Sequence, residues 1–414
     1  MNKLNVLLII VMTLVSCAGR EQGKKNKQKT DNMLNDSTNL YGWNRDFLKK
    51  HIEIIELKNG NSLIALVPAW QGRVMTSTAE GEEGFSFGWI NHSLISSGKT
   101  QPHINAYGGE ERLWIGPEGG QFSIFNKAGA AFRYDNWQTP AFIDTEPFKV
   151  TMVTDSSASF ARDAETENYS GTKFRLGLER DVILLGAKEI SARTGVEITG
   201  LNVAAYRTKN RIINKGMRQW KKETGLLSIW MLGMFNITPS VVVVIPFRQG
   251  NDNLLGPPVN DDYFGRMSSD RLIVKGNHIF FRIDGKNRKK IGLSPLRATG
   301  IMGSYDAANN ILNIVKCDLP EGVTDYVNNS WHIQDDPYSG DALNSYNDGP
   351  LEDGSQMGPF YELESLSPAF ELKPGEHLEH NQVTMHLTGE RKILDQVSLK
   401  VLGVSLEEIG KAFL

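Results

Sequence analysis

The feature that most constrains the fold is a series of short, strand-like segments separated by turn residues. The clearest pair comprises residues 52–57 and 62–67, which flank Asn59-Gly60. Asn-Gly tolerates the positive φ angles of a tight turn, so this pair predicts a β-hairpin. Gly, Asn, Asp and Pro clusters separate the further predicted strands. These are residues 73–78, 148–154, 174–178, 182–185, 196–203, 241–247, 279–283, 311–317, 361–364 and 382–387.

Helical patterns are few. Residues 43–50 predict one short helix, and Ser405 with Glu408 fits a capping box ahead of Ile409 near the C-terminus. No repeat with a fixed period is present, which argues against a propeller or a solenoid. Many strands without intervening helices favour an all-β fold, a large antiparallel β-sandwich with a few short helices. We expect one such domain over residues 40–414, ending in a helical segment.

The first seventeen residues have the layout of an export signal. Lys3 precedes an apolar run at residues 6–15, which is followed by Ser16 and Cys17. Such a run is too short to span a hydrocarbon core of ~30 Å, and its charged, apolar and small parts follow the order of a signal peptide. Cys17 resembles the lipobox cysteine of bacterial lipoproteins, which is acylated. The alternative is an ordinary cleaved signal with an incidental cysteine.

Residues 18–39 are polar and rich in lysine, so they cannot bury enough apolar surface to offset the entropy that ordering would cost. This composition predicts a disordered tether. No acidic run follows Cys17, which favours a lipid-anchored protein of the outer membrane that faces the periplasm. With Cys17 acylated, Cys317 has no disulfide partner, and its strand parity predicts a packing role. The formal net charge of -3 implies no nucleic-acid partner.

The richest polar cluster lies between residues 108 and 120, with the sequence GGEERLWIGPEGG. Glycines let the backbone come close to a neighbouring group. Arginine offers a planar fork of hydrogen-bond donors, and the face of a tryptophan ring can stack on a pyranose ring. The cluster predicts a surface that binds a sugar or a uronate. Its expected members are His103, Glu110, Glu111, Arg112, Trp114 and Glu118. The alternative is a buried pair between Arg112 and a carboxylate that ties a glycine-rich turn to the core.

A second segment, Tyr361-Glu362-Leu363-Glu364-Ser365, is followed by the hairpin sequence FELKPGE at residues 370–376. On a strand, Glu362 and Glu364 share a face. Two neighbouring carboxylates repel each other, so the pKa of one of them should be raised. The alternative is a solvent-facing pair on an outer strand.

These two segments, in this order, resemble the galactose mutarotase-like superfamily, and in particular an uncharacterised lipoprotein family within it. The resemblance covers residues 40 to 390, about the whole body of the chain. It implies a supersandwich of two large antiparallel sheets, whose concave sheet binds sugars in characterised relatives. It also implies a mid-chain histidine as acid and a late-strand glutamate as base, and Glu364 matches that glutamate.

The histidine departs from the pattern of the superfamily. None occurs between His103 and His278, where the resemblance places the acid. His332, next to Trp331, is the candidate substitute, and a surface histidine beside a packed tryptophan is the alternative.

No cofactor is expected from the sequence. Calcium is an alternative, because it binds six to eight oxygens and the segment 334–357, which is predicted to be one long loop, is acidic. Its aspartates are Asp335, Asp336, Asp341, Asp348 and Asp353, without the spacing of a calcium loop. The sequence also lacks a P-loop, a dinucleotide fingerprint, zinc spacing and a nucleophile elbow.

Three functions are therefore considered. The first is a membrane-anchored lipoprotein that binds a carbohydrate without turnover. The second is a sugar-processing enzyme, an epimerase or lyase-like, with Glu364 as base and His332, Glu110 or Glu111 as acid. The third is a structural lipoprotein of the envelope.

Overall fold

Three antiparallel sheets make up most of the computed structural model, which describes residues 37–414. The export signal, Cys17 and all but the last three residues of the predicted tether lie outside the described residues. The strands are β1 Ile55–Asn59, β2 Ser62–Val67, β3 Arg73–Thr78, β4 Arg112–Gly116, β5 Lys149–Val153, β6 Ser157–Glu167, β7 Lys173–Leu184, β8 Leu201–Asn214, β9 Ser228–Asn236, β10 Val241–Pro246, β11 Leu272–Lys275, β12 His278–Arg282, β13 Lys289–Leu293, β14 Ile301–Asp306, β15 Ile311–Cys317, β16 Leu343–Asn347, β17 Phe360–Leu366 and β18 His377–Gly389.

The two larger sheets form a sandwich. One has ten strands in the order β11-β12-β10-β14-β15-β18-β8-β7-β6-β5, and the other has five in the order β13-β16-β17-β9-β4. The first hairpin and β3 form a third, smaller sheet. The prediction of an all-β, antiparallel architecture is confirmed.

Side chains of β17 show how the two larger sheets face each other. The Tyr361 hydroxyl lies 2.7 Å from the hydroxyl of Ser304 on β14, and the Ser365 hydroxyl donates to Gln382 on β18 at 2.7 Å. Successive side chains of a strand point to opposite faces. The odd-numbered residues of β17 therefore face the ten-stranded sheet, and Glu362 and Glu364 point away from it.

Helices are short and lie outside the sandwich. They are α1 Tyr41–His51, α2 His92–Ser97, α3 Ala187–Thr194, α4 Asp252–Leu255, α5 Arg391–Val401 and α6 Leu406–Gly410. The C-terminal pair, α5 and α6, packs on the ten-stranded sheet with Leu394, Val397, Leu406 and Ile409. The predicted capping box at Ser405 and Glu408 is present at the start of α6. No helix of residues 37–414 is long and apolar enough to cross a membrane.

Several strands differ from the sequence prediction. The segment 334–357, predicted to be one long loop, contains β16, and the glycine-rich cluster at 108–120 contains β4 rather than only a turn. The strand β16 has the polar sequence LNSYN, yet all five residues are buried. Its polar groups find partners inside the protein, so alternation of apolar and polar residues does not reveal it. Strand β9 lies fully inside the five-stranded sheet, so its sequence SIWMLGMFN shows no alternation either.

Candidate functional site

The five-stranded sheet carries a row of polar and aromatic side chains on its outer face, the face turned away from the ten-stranded sheet. Glu364 pairs with Asn344 on one side and with Leu232 on the other. Two further pairs on this face are Glu362 with Tyr346 and Lys290 with Tyr346. Trp114 is opposite Trp230. Register alone therefore brings the late glutamate strand and the tryptophan of the 108–120 cluster onto one surface.

Glu364 is the most deeply buried carboxylate of this face. Its Oε2 accepts hydrogen bonds from the Lys290 ammonium and from the Trp230 indole, each at 2.9 Å, and its exposed fraction is 0%. Its Oε1 has no hydrogen-bond partner among the described residues. Burial alone would lower the pKa of Lys290, but the carboxylates of Glu364 and Glu118 raise it. Lys290 therefore stays charged and neutralises Glu364.

Arg112 and Glu362 form the second ion pair of the face. The Arg112 guanidinium is 2.5 Å from Oε1 of Glu362 and lies over the Trp114 ring at 4.8 Å. Burial raises the pKa of Glu362 to about 7; Arg112 opposes the shift and Glu364 adds to it. The sequence predicts a raised pKa for one carboxylate of the Glu362 and Glu364 pair through their repulsion, whereas burial is the largest cause of the shift at Glu362. The alternative proposed for Arg112, a buried pair with a carboxylate, also describes the structure.

Glu118 reaches the same face from the loop that follows β4. Its backbone N–H donates to the Asn329 side chain at 2.8 Å. A Cβ added at Gly119 would lie 2.3 Å from the Ser330 carbonyl, so the glycine allows the two loops to touch. Burial raises the pKa of Glu118 to about 7; Lys290 lowers it, Glu364 raises it and the Trp331 indole lowers it. Glu118 is only partly buried as a residue, whereas Glu362 and Glu364 are buried.

Aromatic rings border this group of charges. Trp331 stacks on Trp137 with ring centres 5.9 Å apart. The Lys290 ammonium lies 4.9 Å from the centre of the Trp230 ring and 5.5 Å from that of Tyr263. The Tyr263 hydroxyl donates to Asp341 at 2.6 Å. Rings and carboxyl groups therefore alternate around Lys290.

Two predicted members of the binding surface lie on the opposite side of the sheet. Glu111 is fully buried between the sheets, 3.0 Å from the Arg180 guanidinium, and it accepts from Gln382 at 2.8 Å. Glu110 is also fully buried, and its Oε2 lies 3.4 Å from Nε2 of His386. Neither carboxylate reaches the outer face, because the backbone before β4 directs both side chains inward.

The two predicted histidines lie in surface loops. His103 has a positive φ of 67°, its Nδ1 is 2.5 Å from the Trp137 carbonyl, and its ring contacts Tyr134. It therefore supports the loop that carries Trp137. The His332 side chain is exposed, and no described residue hydrogen-bonds with its ring. The structure does not bring His332 into contact with Glu364.

The sequence does not predict four residues of the site: Lys290, Trp230, Tyr263 and Trp331. A signal for Lys290 exists in the basic segment 286–290, KNRKK, which leads into a strand. Trp331 stands out in the sequence only as a neighbour of His332. Tyr263 belongs to a loop whose position depends on long-range packing, and no local pattern reveals it.

No metal centre is evident in residues 37–414, where no three His, Cys, Asp or Glu side chains are grouped as ligands would be. Asp335 and Asp336 are exposed, Asp341 accepts from Tyr263, Asp348 from Tyr346 and Asp353 from Ser355. The aspartates of the segment 334–357 therefore serve separate local contacts.

A groove of 920 Å³ lies elsewhere, between the 124–142 segment and β6. Its charged side chains pair with one another, as in Arg162 with Glu146, Arg175 with Glu165 and Lys215 with Asp163. The raised carboxyl pKa values are found on the outer face, which is the better candidate on chemical grounds.

Several solved structures are similar to this chain at low sequence identity. A putative aldose 1-epimerase from Escherichia coli is 10% identical, with 82% of this chain and 99% of that chain covered and a TM-score of 0.47. A galactose mutarotase-like protein from Lactobacillus casei is 10% identical, with coverages of 82% and 100% and a TM-score of 0.48. A putative mutarotase from Salmonella typhimurium is 9% identical, with coverages of 82% and 92% and a TM-score of 0.48.

No curated protein matches the sequence. A family model does match, over residues 39–413, which is nearly all of the described chain. The chain therefore belongs to the family of unknown function DUF6786.

Proposed function

We propose that this protein binds a carbohydrate on the outer face of the five-stranded sheet, above Glu118, Lys290 and Glu364. The observation that carries the proposal is the half-buried Glu118 carboxyl, which lies near both the Trp331 indole and the Lys290 ammonium. Sugar hydroxyls need acceptors and donors fixed next to an apolar ring face, and ligand sites typically combine aromatic walls with a few placed polar groups. The resemblance of the motifs around Arg112 and Glu364 to a sugar-binding superfamily supports the same ligand class.

Binding without turnover is favoured by the state of Glu364. One of its oxygens already accepts from Lys290 and Trp230, and the side chain has no exposed surface. These two donors occupy the oxygen that the proton of a ligand hydroxyl would otherwise reach. The same ion pair would fix the floor of a binding site rigidly.

The test is calorimetry, with glycan arrays to find ligands, on the wild type and two variants. Glu118→Gln removes the carboxyl but keeps its size, and Trp331→Ala removes the ring. Each should weaken binding by about tenfold, the effect of losing one hydrogen bond to a charged group or one stacking partner. Exposed residues give matched controls, Glu352→Gln and Trp43→Ala, which should bind as the wild type does. Absence of any saturable sugar binding by the wild type would contradict the proposal.

One observation favours a second candidate, a sugar-processing enzyme. Burial raises the pKa of Glu118 to about 7, which suits a general acid near neutral pH. In anomer exchange, Glu118 would protonate the ring oxygen as Glu364 takes the proton of the anomeric hydroxyl. The bond from the anomeric carbon to the ring oxygen then breaks, and reclosure gives the other anomer. Glu118 would then be the general acid, the role for which His332 is the candidate from the sequence.

Anomer exchange followed by polarimetry separates the two candidates. Catalysis predicts a rate above the uncatalysed one that Glu364→Gln abolishes and His332→Ala leaves unchanged. A sugar that binds without faster exchange supports the binding protein. An unchanged rate in Glu364→Gln would remove this residue from the mechanism.

The proposal also includes attachment to the outer membrane through acylated Cys17, with the sandwich facing the periplasm. The lipobox-like sequence before Cys17 supports it. Labelling of cells with an alkyne fatty acid should mark the wild type and not Cys17→Ser, and the variant should move from the membrane to the soluble fraction. Equal labelling of both proteins would contradict acylation at Cys17.

A further inference from the structure

Arg288 lies at the edge of the outer face, two residues before Lys290 and therefore on the same side of the chain. Its guanidinium carbon is 4.6 Å from the centre of the Phe264 ring and 5.9 Å from that of Tyr346. Arginine stacks readily on aromatic faces, which hold the planar group in a defined orientation. These two aromatic rings, and not an anionic side chain, therefore position the Arg288 guanidinium.

No residue within 37–414 accepts a hydrogen bond or forms an ion pair with the Arg288 guanidinium, and its Nε is buried without a partner. The other two cations of the outer face are bound: Arg112 contacts Glu362 at 2.5 Å, and Lys290 contacts Glu364 at 2.9 Å. The terminal nitrogens of the Arg288 guanidinium are therefore the donors that an incoming acceptor would use.

Two acidic residues are close to Arg288, but neither binds it. Asp348 accepts from the Tyr346 hydroxyl at 2.6 Å and from the Gly358 N–H at 3.0 Å, so both of its oxygens are used. Glu118 is near enough for Arg288 to lower its pKa, although burial dominates and raises it. The guanidinium therefore keeps free donors beside the half-buried Glu118 carboxyl.

We infer that Arg288 binds the carboxylate of an acidic sugar, so that uronic acids are the preferred ligands of this site. The inference rests on the proposed function. The arginine fork matches a carboxylate with two parallel hydrogen bonds, which a neutral sugar cannot offer. Lys290 does not serve in this role, because Glu364 already neutralises it. Arg288 is thus a specificity-determining residue, outside the Glu118, Lys290 and Glu364 group.

The experiment is calorimetry at fixed ionic strength with two matched pairs, D-galacturonate with D-galactose and D-glucuronate with D-glucose. The wild type should bind at least one acid about tenfold or more tightly than its neutral counterpart, the range expected for a charge-assisted pair. Arg288→Gln should lose this preference while keeping the affinity for the neutral sugar. Arg288→Lys should retain part of it, and the exposed Arg133→Gln should behave as the wild type does.

The possible results distinguish the inference about Arg288 and uronic acids from the proposal that the protein binds a carbohydrate. Equal affinity of the wild type for acid and neutral sugars overturns the inference and leaves carbohydrate binding intact. An equal loss of both affinities in Arg288→Gln, with a lower melting temperature, also overturns it, because Arg288 would then be structural. Failure of the wild type to bind any sugar overturns both.

Discussion

The two faces of strand β17 carry polar side chains in different states. On the inner face, Ser365 and Tyr361 are buried and each makes two hydrogen bonds to the ten-stranded sheet. On the outer face, Glu364 keeps one oxygen without a partner, and the pKa of Glu362 is raised to about 7. Buried polar groups that have hydrogen-bond partners stabilise a fold. Buried polar groups that lack a partner, or whose pKa is strongly shifted, more often belong to a functional site. On this strand the inner hydroxyls therefore serve the fold and the outer carboxylates are the candidates for a ligand, although Glu110 and the Nδ1 of His380 between the sheets also lack hydrogen-bond partners among the described residues.

The largest expected effect is on the inner face. Glu111→Ala should lower the free energy of unfolding by about 4 kcal/mol, because it leaves the Arg180 guanidinium buried without its anion. Glu111→Gln should cost less, since the amide oxygen still accepts from Gln382. Chemical denaturation gives both values. A cost for Glu111→Ala below about 1 kcal/mol would show that this pair does not stabilise the sandwich.

On the outer face, Lys290→Met removes the cation from Glu364 and should cost about 3 kcal/mol of unfolding free energy. The double variant Lys290→Met/Glu364→Gln should recover about 2 kcal/mol of this, because no buried charge is then left alone. A denaturant series on the four proteins of the cycle measures the coupling. Additive effects would show that the two groups are not coupled, and Glu364 would then have to be considered as a free base.

Ser365→Ala tests whether the two faces of one strand are independent. The change removes a hydroxyl that contacts His380 and Gln382, so the unfolding free energy should fall by about 1–2 kcal/mol. Sugar affinity should stay unchanged, although the next residue is Glu364. Denaturation and calorimetry on the same variant check both statements. A loss of binding comparable to that in Glu118→Gln would contradict the division between the faces.

The all-β class could be predicted from the sequence, because turn residues are local signals, but the sequence predicts only twelve strands where the described residues form eighteen. Register explains why only part of the predicted binding surface lies on one face. Arg112 and Trp114 share the outer face with Glu364, whereas Glu110 and Glu111 point inward. Partners such as Lys290 and Trp331 come from strands and loops distant in the chain. Their approach is set by packing of the whole sandwich, which no local pattern records.

The smallest expected effect is a dependence of stability on pH. Burial raises the folded-state pKa of Glu118 to about 7 from an ordinary 4.5. The folded protein then binds a proton more tightly than the unfolded chain, so this group stabilises fully below pH 4.5. That stability is lost as the pH rises through 7. Between pH 5 and pH 8 the loss should be on the order of 1 kcal/mol, since the half-buried carboxyl is partly screened by solvent.

Glu118→Gln has no proton to lose, so the difference in unfolding free energy between the variant and the wild type should grow in favour of the variant over this range. Denaturation at pH 5, 6, 7 and 8 measures it, with Glu352→Gln as the exposed control. A parallel pair of curves for the wild type and Glu118→Gln would mean that Glu118 titrates as an ordinary surface carboxyl. It would then be ionised at neutral pH, which excludes it as the acid of a sugar-processing enzyme but leaves it as an acceptor for sugar hydroxyls. The pH series therefore tests the acid role of Glu118 in the second candidate function without requiring a known ligand.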